Sequence, residues 1–339
     1  MIKRIGFACK WIDHPGQVNG IKPKDDAKKY NTGSTTVSWL NRQSKEVGEQ
    51  KLWDLIEQNL TATKLLVDRV GALDENLRMV RLSSDLLPVY THNDWSYFWR
   101  RNDVRDRCSS LFRNIGDSAR ANNVRLSFHP GQFCCIVSDS PDIVKRSIEE
   151  LEYHADMTRW LGYGKSKLDF KLNVHLSGRR GADGFDDAWN KMSPELRNCL
   201  TLENDEFQKG IDDLLPLNNK VGIVLDIHHH HIHSGEYIEA NDDRIKKIID
   251  SWCGVRPTIH YSASREDVLT GHSRSQRPAL LSLIEIGHKK AKLRAHSDFM
   301  WNDALNEWAH THWTWADVMV EAKGKNLAST ELFNQWKRI

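Results

Sequence analysis

Five histidines fall within six positions of one another just after an aspartate, in Val-Gly-Ile-Val-Leu-Asp226-Ile-His228-His229-His230-His231-Ile-His233. Imidazole nitrogens beside a carboxylate are ligands for a divalent metal. A strand that ends in Asp226, with His229 three residues into the following turn, lets both face one ion. A purification tag of this composition would sit at a chain end, whereas this run follows a strand-like VGIVL two-thirds of the way along. Asp226 and His229 are therefore read as ligands, with His230 as a residue supporting them from behind. His228, His231 and His233 are read as solvated loop residues.

The aspartate is one of a series. Other short apolar runs end in His129 (Ser-Phe-His-Pro-Gly-Gln-Phe), His175 (Leu-Asn-Val-His), Glu203 (Leu-Thr-Leu-Glu-Asn-Asp), His260 and Glu321 (Val-Met-Val-Glu-Ala-Lys), while His296 (Leu-Arg-Ala-His-Ser-Asp) follows the seventh run. Alternation along the strands puts Asn173 with His175, Thr201 with Glu203 and Thr258 with His260, each pair on one face. A single histidine or glutamate at a strand end is usually structural. Unpaired carboxylates gathered at one place repel, however, and divalent cations remove that repulsion. One zinc-like ion takes about three or four protein ligands, so eight candidates imply two or three ions with bridging carboxylates. Histidine with carboxylate suits zinc or manganese better than magnesium or calcium. Several ions together serve phosphodiester hydrolysis, activating water and stabilising the leaving oxygen. No G-x-S-x-G, Cys–His pair or Walker loop offers a different chemistry.

The elements that must position these residues alternate. Strand candidates are residues 4–9, 79–84, 125–129, 170–176, 200–204, 221–226, 257–262 and 317–321, and helix-like segments cover 48–73, 104–122, 141–161, 207–215, 237–252 and 278–288. Eight strand–helix units predict a single (β/α)8 TIM barrel over residues 1–339, with the metal site at the C-terminal face of its strands. An open doubly wound sheet is the alternative, but no G-x-G-x-x-G follows a strand. Residues 11–43 read as an extended first loop and 326–339 as a C-terminal tail. No stretch approaches the roughly 20 apolar residues of a membrane span, and the six scattered cysteines fit reduced thiols. A soluble cytoplasmic protein is expected, and no protein partner is indicated. Net charge is only +2, so nucleic-acid binding requires a local basic face. Arg179, Arg180, Lys323 and Lys325 follow strand ends and are the candidates for phosphate contact.

Taken in order from Ile5 to Lys325, the chain resembles the ultraviolet damage endonucleases, relatives of the endonuclease IV type of abasic-site nuclease. The motifs that carry the likeness are Arg-Leu-Ser-Ser-Asp-Leu-Leu-Pro (81–88), Ser-Phe-His-Pro-Gly-Gln-Phe (127–133), Val-His-Leu-Ser-Gly (174–178), Leu-Glu-Asn-Asp-Glu (202–206), the run from Asp226 and Asp-Val-Met-Val-Glu-Ala-Lys-Gly-Lys (317–325). The resemblance implies hydrolysis of damaged double-stranded DNA immediately 5′ to photoproducts, leaving a 3′-hydroxyl and a 5′-phosphate, with manganese the first expectation and zinc or magnesium the alternatives. It implies one ion on His129, His175 and Glu203, a second on Glu203, Asp226, His260 and Glu321, and a third on His229 and His296. Glu203, Asp226, His260 and Glu321 would carry catalysis. Gln132 and Phe133 stand where the family inserts a Gln-Tyr pair at the lesion, and Phe7 stands where a tyrosine is common. Thr258 replaces a lysine that the family commonly has two residues before the strand-seven histidine. Competing readings are an abasic-site endonuclease, a barrel sugar isomerase with the same Glu, Asp, His, Glu pattern, and a non-catalytic binder of damaged DNA.

Overall fold

Eight parallel strands wrap into a nearly closed barrel in the computed structural model, which describes residues 1–20, 25–131 and 133–339. They are β1 (Ile5–Ala8), β2 (Met79–Arg81), β3 (Arg125–Phe128), β4 (Lys171–His175), β5 (Leu200–Glu203), β6 (Gly222–Val224), β7 (Thr258–Tyr261) and β8 (Asp317–Val320). All eight coincide with the apolar runs of the sequence, each shorter than its run. Seven of the eight seams are regular ladders, in the order β6-β5-β4-β3-β2-β1-β8-β7. The eighth closes just beyond β6, where Asp226 bridges His260 and the His260 N–H donates to the Leu225 carbonyl at 3.0 Å.

Strands buried on both faces need a layer on each side, and here helices cover the outer face while side chains fill the interior. Register tells the two faces apart. His260 is level with Met319, and Met319 with Gly6, so these point inward; Tyr261, Val320 and Phe7 are level one residue later and point out to the helices. The same reasoning aligns Arg81, Ser127 and Lys171 on the inner face. This interior is more polar than a barrel core usually is.

The helices start where local chemistry starts them. Lys45–Gly71 begins at Ser44, whose Oγ accepts from the Val47 N–H at 3.3 Å, and Pro141–Trp160 has proline in its first turn. Two expectations change. Residues 326–339 are no tail: Lys325–Trp336 is a helix that buries Leu332, Phe333 and Trp336. Its buried face also carries Asn326 and Ser329, so no clear apolar stripe marks it in the sequence. The long first loop holds helical turns at Pro15–Asn19, Asp25–Lys28 and Val37–Leu40, with residues 21–24 outside the described set. Among the described residues no helix is long and apolar enough to cross a membrane.

At the end of the barrel opposite the strand C-termini, Asp317 is fully buried. It accepts from the Arg4 N–H at 2.8 Å, Arg125 Nη1 at 2.6 Å and Arg256 Nε at 2.8 Å, tying β8 to β1, β3 and the segment before β7. Removing one partner of a buried charged network leaves the others desolvated and unpaired. Asp317→Ala is expected to lose about 3–5 kcal/mol in urea unfolding; a loss below about 1 kcal/mol would show that the arginines find solvent instead.

Candidate metal centre

Asp226 does two jobs at once. Its Oδ1 accepts from the His228 and His229 N–H groups at 2.8 and 2.7 Å, capping the helix Ile227–Ser234, which Gly235 ends in the left-handed conformation at φ 82°. Its Oδ2 is buried with no hydrogen-bond partner. The histidine run is therefore a helix, and the loop expectation for His228, His231 and His233 is overturned. His228 to His231 are all at most 7% exposed. His231 stacks on Tyr237 at 4.1 Å, and His230 turns to Glu236, 3.1 Å from its Oε2. His233, beyond them, is half-buried.

Glu203 is the centre of the cluster. Fully buried, it places Oε1 3.0 Å from His260 Nδ1 and Oε2 3.0 Å from His129 Nε2, and Asn173 Nδ2 donates to Oε2. Three overlapping sets of ligand atoms result, each within 4.8 Å: His129, His175 and Glu203; His129, His260 and Glu321; and Glu203, Asp226 and His260. Six of the eight sequence candidates thus converge. The other two flank them, His229 with Nδ1 3.6 Å from Asp226 Oδ2 and His296 with Nδ1 3.9 Å from Glu321 Oε2.

The electrostatics are those of a site built for cations. Burial and the repulsion of Glu203 and Glu321 push the Asp226 carboxyl well above the usual range, against the pull of His229. Glu203 and Glu321 are held well below it. Burial opposes their ionisation, but His260 and His175 beside the first, and Arg81 and His260 beside the second, outweigh it. Burial drives His260 down to about 4, against the pull of Glu203. Burial acts the same way on His229, but the four carboxylates around that ring overcome it and raise it to about 9. Asp226 Oδ2 and His175 Nδ1 are buried donors of electron pairs with no hydrogen-bond partner. Oxygen and imidazole ligands converging around such orphaned atoms fit divalent metal ions.

The residues expected at DNA are distributed unevenly. Phe133 is 86% exposed and lines a cavity of about 640 Å³ together with His175, His229, His296 and Glu321. Gln132 lies outside the described residues. Phe7 is a correction: it is 1% exposed, faces the helices and packs edge-on to Trp11, because register turns Gly6 and not Phe7 into the barrel. Arg179 and Arg180 are exposed beside Gly178, whose φ of 125° lets the loop lie so close to the Val137 backbone that a Cβ there would collide with it. Arg180 pairs with Asp187, and Lys323 with Asp298 at 3.0 Å. Lys325 is half-buried, and burial lowers its ammonium pKa, so it is less a surface cation than part of the wall near Arg81 and Glu321.

Two residues were missed by reading strand ends alone. Arg81, inward on β2, forms an ion pair with Glu321. Lys171, inward at the start of β4 and 3% exposed, reaches across the barrel to place Nζ 2.5 Å from His260 Nε2, and burial lowers its pKa to about 7. The alternation that singles out Asn173 and His175 extends two residues back to Lys171, so a signal existed. That its amine meets a histidine of β7 follows only from barrel closure.

The UV-endonuclease UvdE family model matches residues 4–339. Two curated relatives are UV DNA damage endonucleases of Bacillus cereus (strain B4264), 26% identical, and Bacillus anthracis, 25% identical; each alignment covers 90% of this chain and 89% of the relative. The crystal structure of SacUVDE superposes with a TM-score of 0.72 at 21% identity, covering 99% of this chain and 98% of that one. Endonuclease IV from Thermus thermophilus gives 0.51 at 12% identity over 99% of both chains. These two likenesses speak to the barrel alone.

Lys171 is the one side chain that meets His260 on the side away from Glu203 among the described contacts. Lys171→Met is expected to keep a cooperative melt but to weaken manganese binding about 10- to 100-fold, as loss of an outer support of a metal ligand does. Calorimetric titration with unchanged affinity would remove Lys171 from that role.

Proposed function

The chain belongs to the UV-endonuclease UvdE family, and from that premise we propose that it nicks damaged double-stranded DNA immediately 5′ to cyclobutane pyrimidine dimers and 6-4 photoproducts, leaving a 3′-hydroxyl and a 5′-phosphate. Membership sets the sugar-isomerase reading aside. The observation that carries the proposal is the convergence of Glu203, Asp226 and Glu321 with His129, His175 and His260 at the open mouth of the barrel. His129, His175 and Glu203 would hold one divalent ion, Glu203 with Asp226, His260 and Glu321 a second, and His229 with His296 a third. Manganese is the first expectation, with zinc or magnesium as alternatives. Such ions, when bound, supply a water of lowered pKa and positive charge for the scissile phosphate.

The chain's own residues account for the rest. Glu203, shared by two ligand sets, fixes their spacing; Asn173 and the two histidines that it touches hold its carboxylate rigid. Arg81 holds Glu321 in place from below. Phe133, projecting at the rim, has the shape of a wedge that stacks against a base at a disturbed step. Arg179, exposed after β4, would meet a phosphate, a contact that orients the duplex without reading its sequence.

Purified protein is expected to nick ultraviolet-irradiated plasmid in the presence of manganese and to leave undamaged plasmid intact. A duplex with an abasic site, offered under the same conditions, separates the photoproduct reading from an abasic-site activity. Glu203→Gln should lower nicking by more than about a hundredfold, since it strikes ligands of two sets rather than an outer support, and it should reduce bound metal measured by elemental analysis. Robust nicking by that variant, or fewer than two ions per wild-type chain, would sink the mechanism.

A further inference from the structure

Phe207 has no part in the site as described, yet it lines the same cavity as Phe133, His175, His229, His296 and Glu321. The residue is 49% exposed. It is also held rigidly: Asp205 Oδ1 accepts from the Phe207 and Gln208 N–H groups at 2.7 and 2.8 Å, and the Asp205 N–H donates to the Lys209 carbonyl at 2.7 Å. That turn fixes the backbone from which the ring projects. The Arg294 guanidinium lies over the ring, 5.2 Å from its centroid, and pairs with Glu206 at 2.6 Å; Glu206 Oε2 is in turn 3.8 Å from His229 Nε2. Phe207 is thus tied through Arg294 and Glu206 to a residue of the metal cluster.

Single exposed apolar side chains are common, but two large rings lining one cavity beside the cluster make a shared apolar surface of the kind that a ligand covers. We propose that Phe207 is a stacking platform for a nucleobase unstacked from the duplex beside the lesion, on the rim of the cavity it shares with Phe133. Nucleobase faces are flat and apolar while their edges are polar, so a rigid aromatic face takes any base without reading its sequence. The planar guanidinium on one side of the ring completes a stack of three planar groups, with the cation adding to it. Placement beside His229 and Glu321 puts such a base next to the phosphates nearest the cluster. The inference rests on the DNA endonuclease reading.

Anisotropy with a photoproduct duplex carrying 2-aminopurine beside the lesion tests this, in a Glu203→Gln background that spares the substrate. Phe207→Ala should bind about 5- to 150-fold more weakly, the equivalent of about 1–3 kcal/mol for one stacked base, and should release the quenching of 2-aminopurine. Phe207→Trp should retain both. Phe207→Leu should resemble alanine, since it offers apolar area without a stacking face. In the otherwise wild-type enzyme the loss should fall on KM more than on kcat, with the melting temperature unmoved. Wild-type affinity for Phe207→Ala, or full rescue by leucine, would overturn the platform. Failure of the wild-type protein to nick irradiated DNA would instead overturn the reading on which it rests.

Discussion

Three carboxylates, the buried Glu203 and Asp226 and the half-buried Glu321, lie close together at the mouth of the barrel, and much of the surrounding structure answers their mutual repulsion. Like charges out of water cost free energy unless compensated. Compensation comes from every direction: imidazoles after β3, on β7 and in the helix after β6, the guanidinium of Arg81 on β2, and the first N–H groups of the helix Ile227–Ser234. A helix N-terminus favours a negative charge. Even so, Asp226 remains pushed towards its neutral form and keeps a buried oxygen without a partner. The protein groups go part of the way, and divalent cations would complete the neutralisation.

The same residues close the barrel. β6 and β7 do not form a regular ladder; they meet through Asp226 and His260, both of them in the cluster. Stability and chemistry therefore share a seam. Beneath it the interior is polar where a barrel is usually filled with branched apolar side chains. Thr201 Oγ1 donates to Asn173 Oδ1 at 2.8 Å, Asn173 donates to Glu203, and Lys171 meets His260. This ladder fixes the orientation of two ligand side chains from within the core, where packing holds rotamers more firmly than a loop would. At the far end Asp317 and its arginines anchor the strands from which those residues rise.

Above the cluster the surface changes character. Phe133 and Phe207 project from turns that follow β3 and β5 and line one cavity with His175, His229, His296 and Arg294. Rigid aromatics with arginines nearby suit a nucleic acid whose bases have been separated, because base faces stack on rings while phosphates find cations. The weak net charge of +2 is no obstacle when the cations are placed locally.

Much of this was determined by the sequence alone. Eight apolar runs with helical segments between them specify eight strands and a barrel, since parallel strands joined by helices are covered on both sides. The placement of His129, His175, Glu203, Asp226, His260 and Glu321 at strand ends brings them together, because parallel strands all end at one mouth. Where the pattern was local it misled or fell silent. The histidine run looks like a solvated loop, yet Asp226 caps it into a helix and the barrel buries it. Lys325–Trp336 has a buried face too mixed in polarity to announce itself. Phe7 is next to the inward Gly6, and only the register with β8 shows that its ring turns outward. Lys171 and His260 are far apart in the chain, and their contact exists because curvature of the closed sheet brings opposite strands within reach of one long side chain. Residue types and their spacing thus determined the fold and the set of candidate ligands, whereas closure, register and capping decided which way each remaining side chain points.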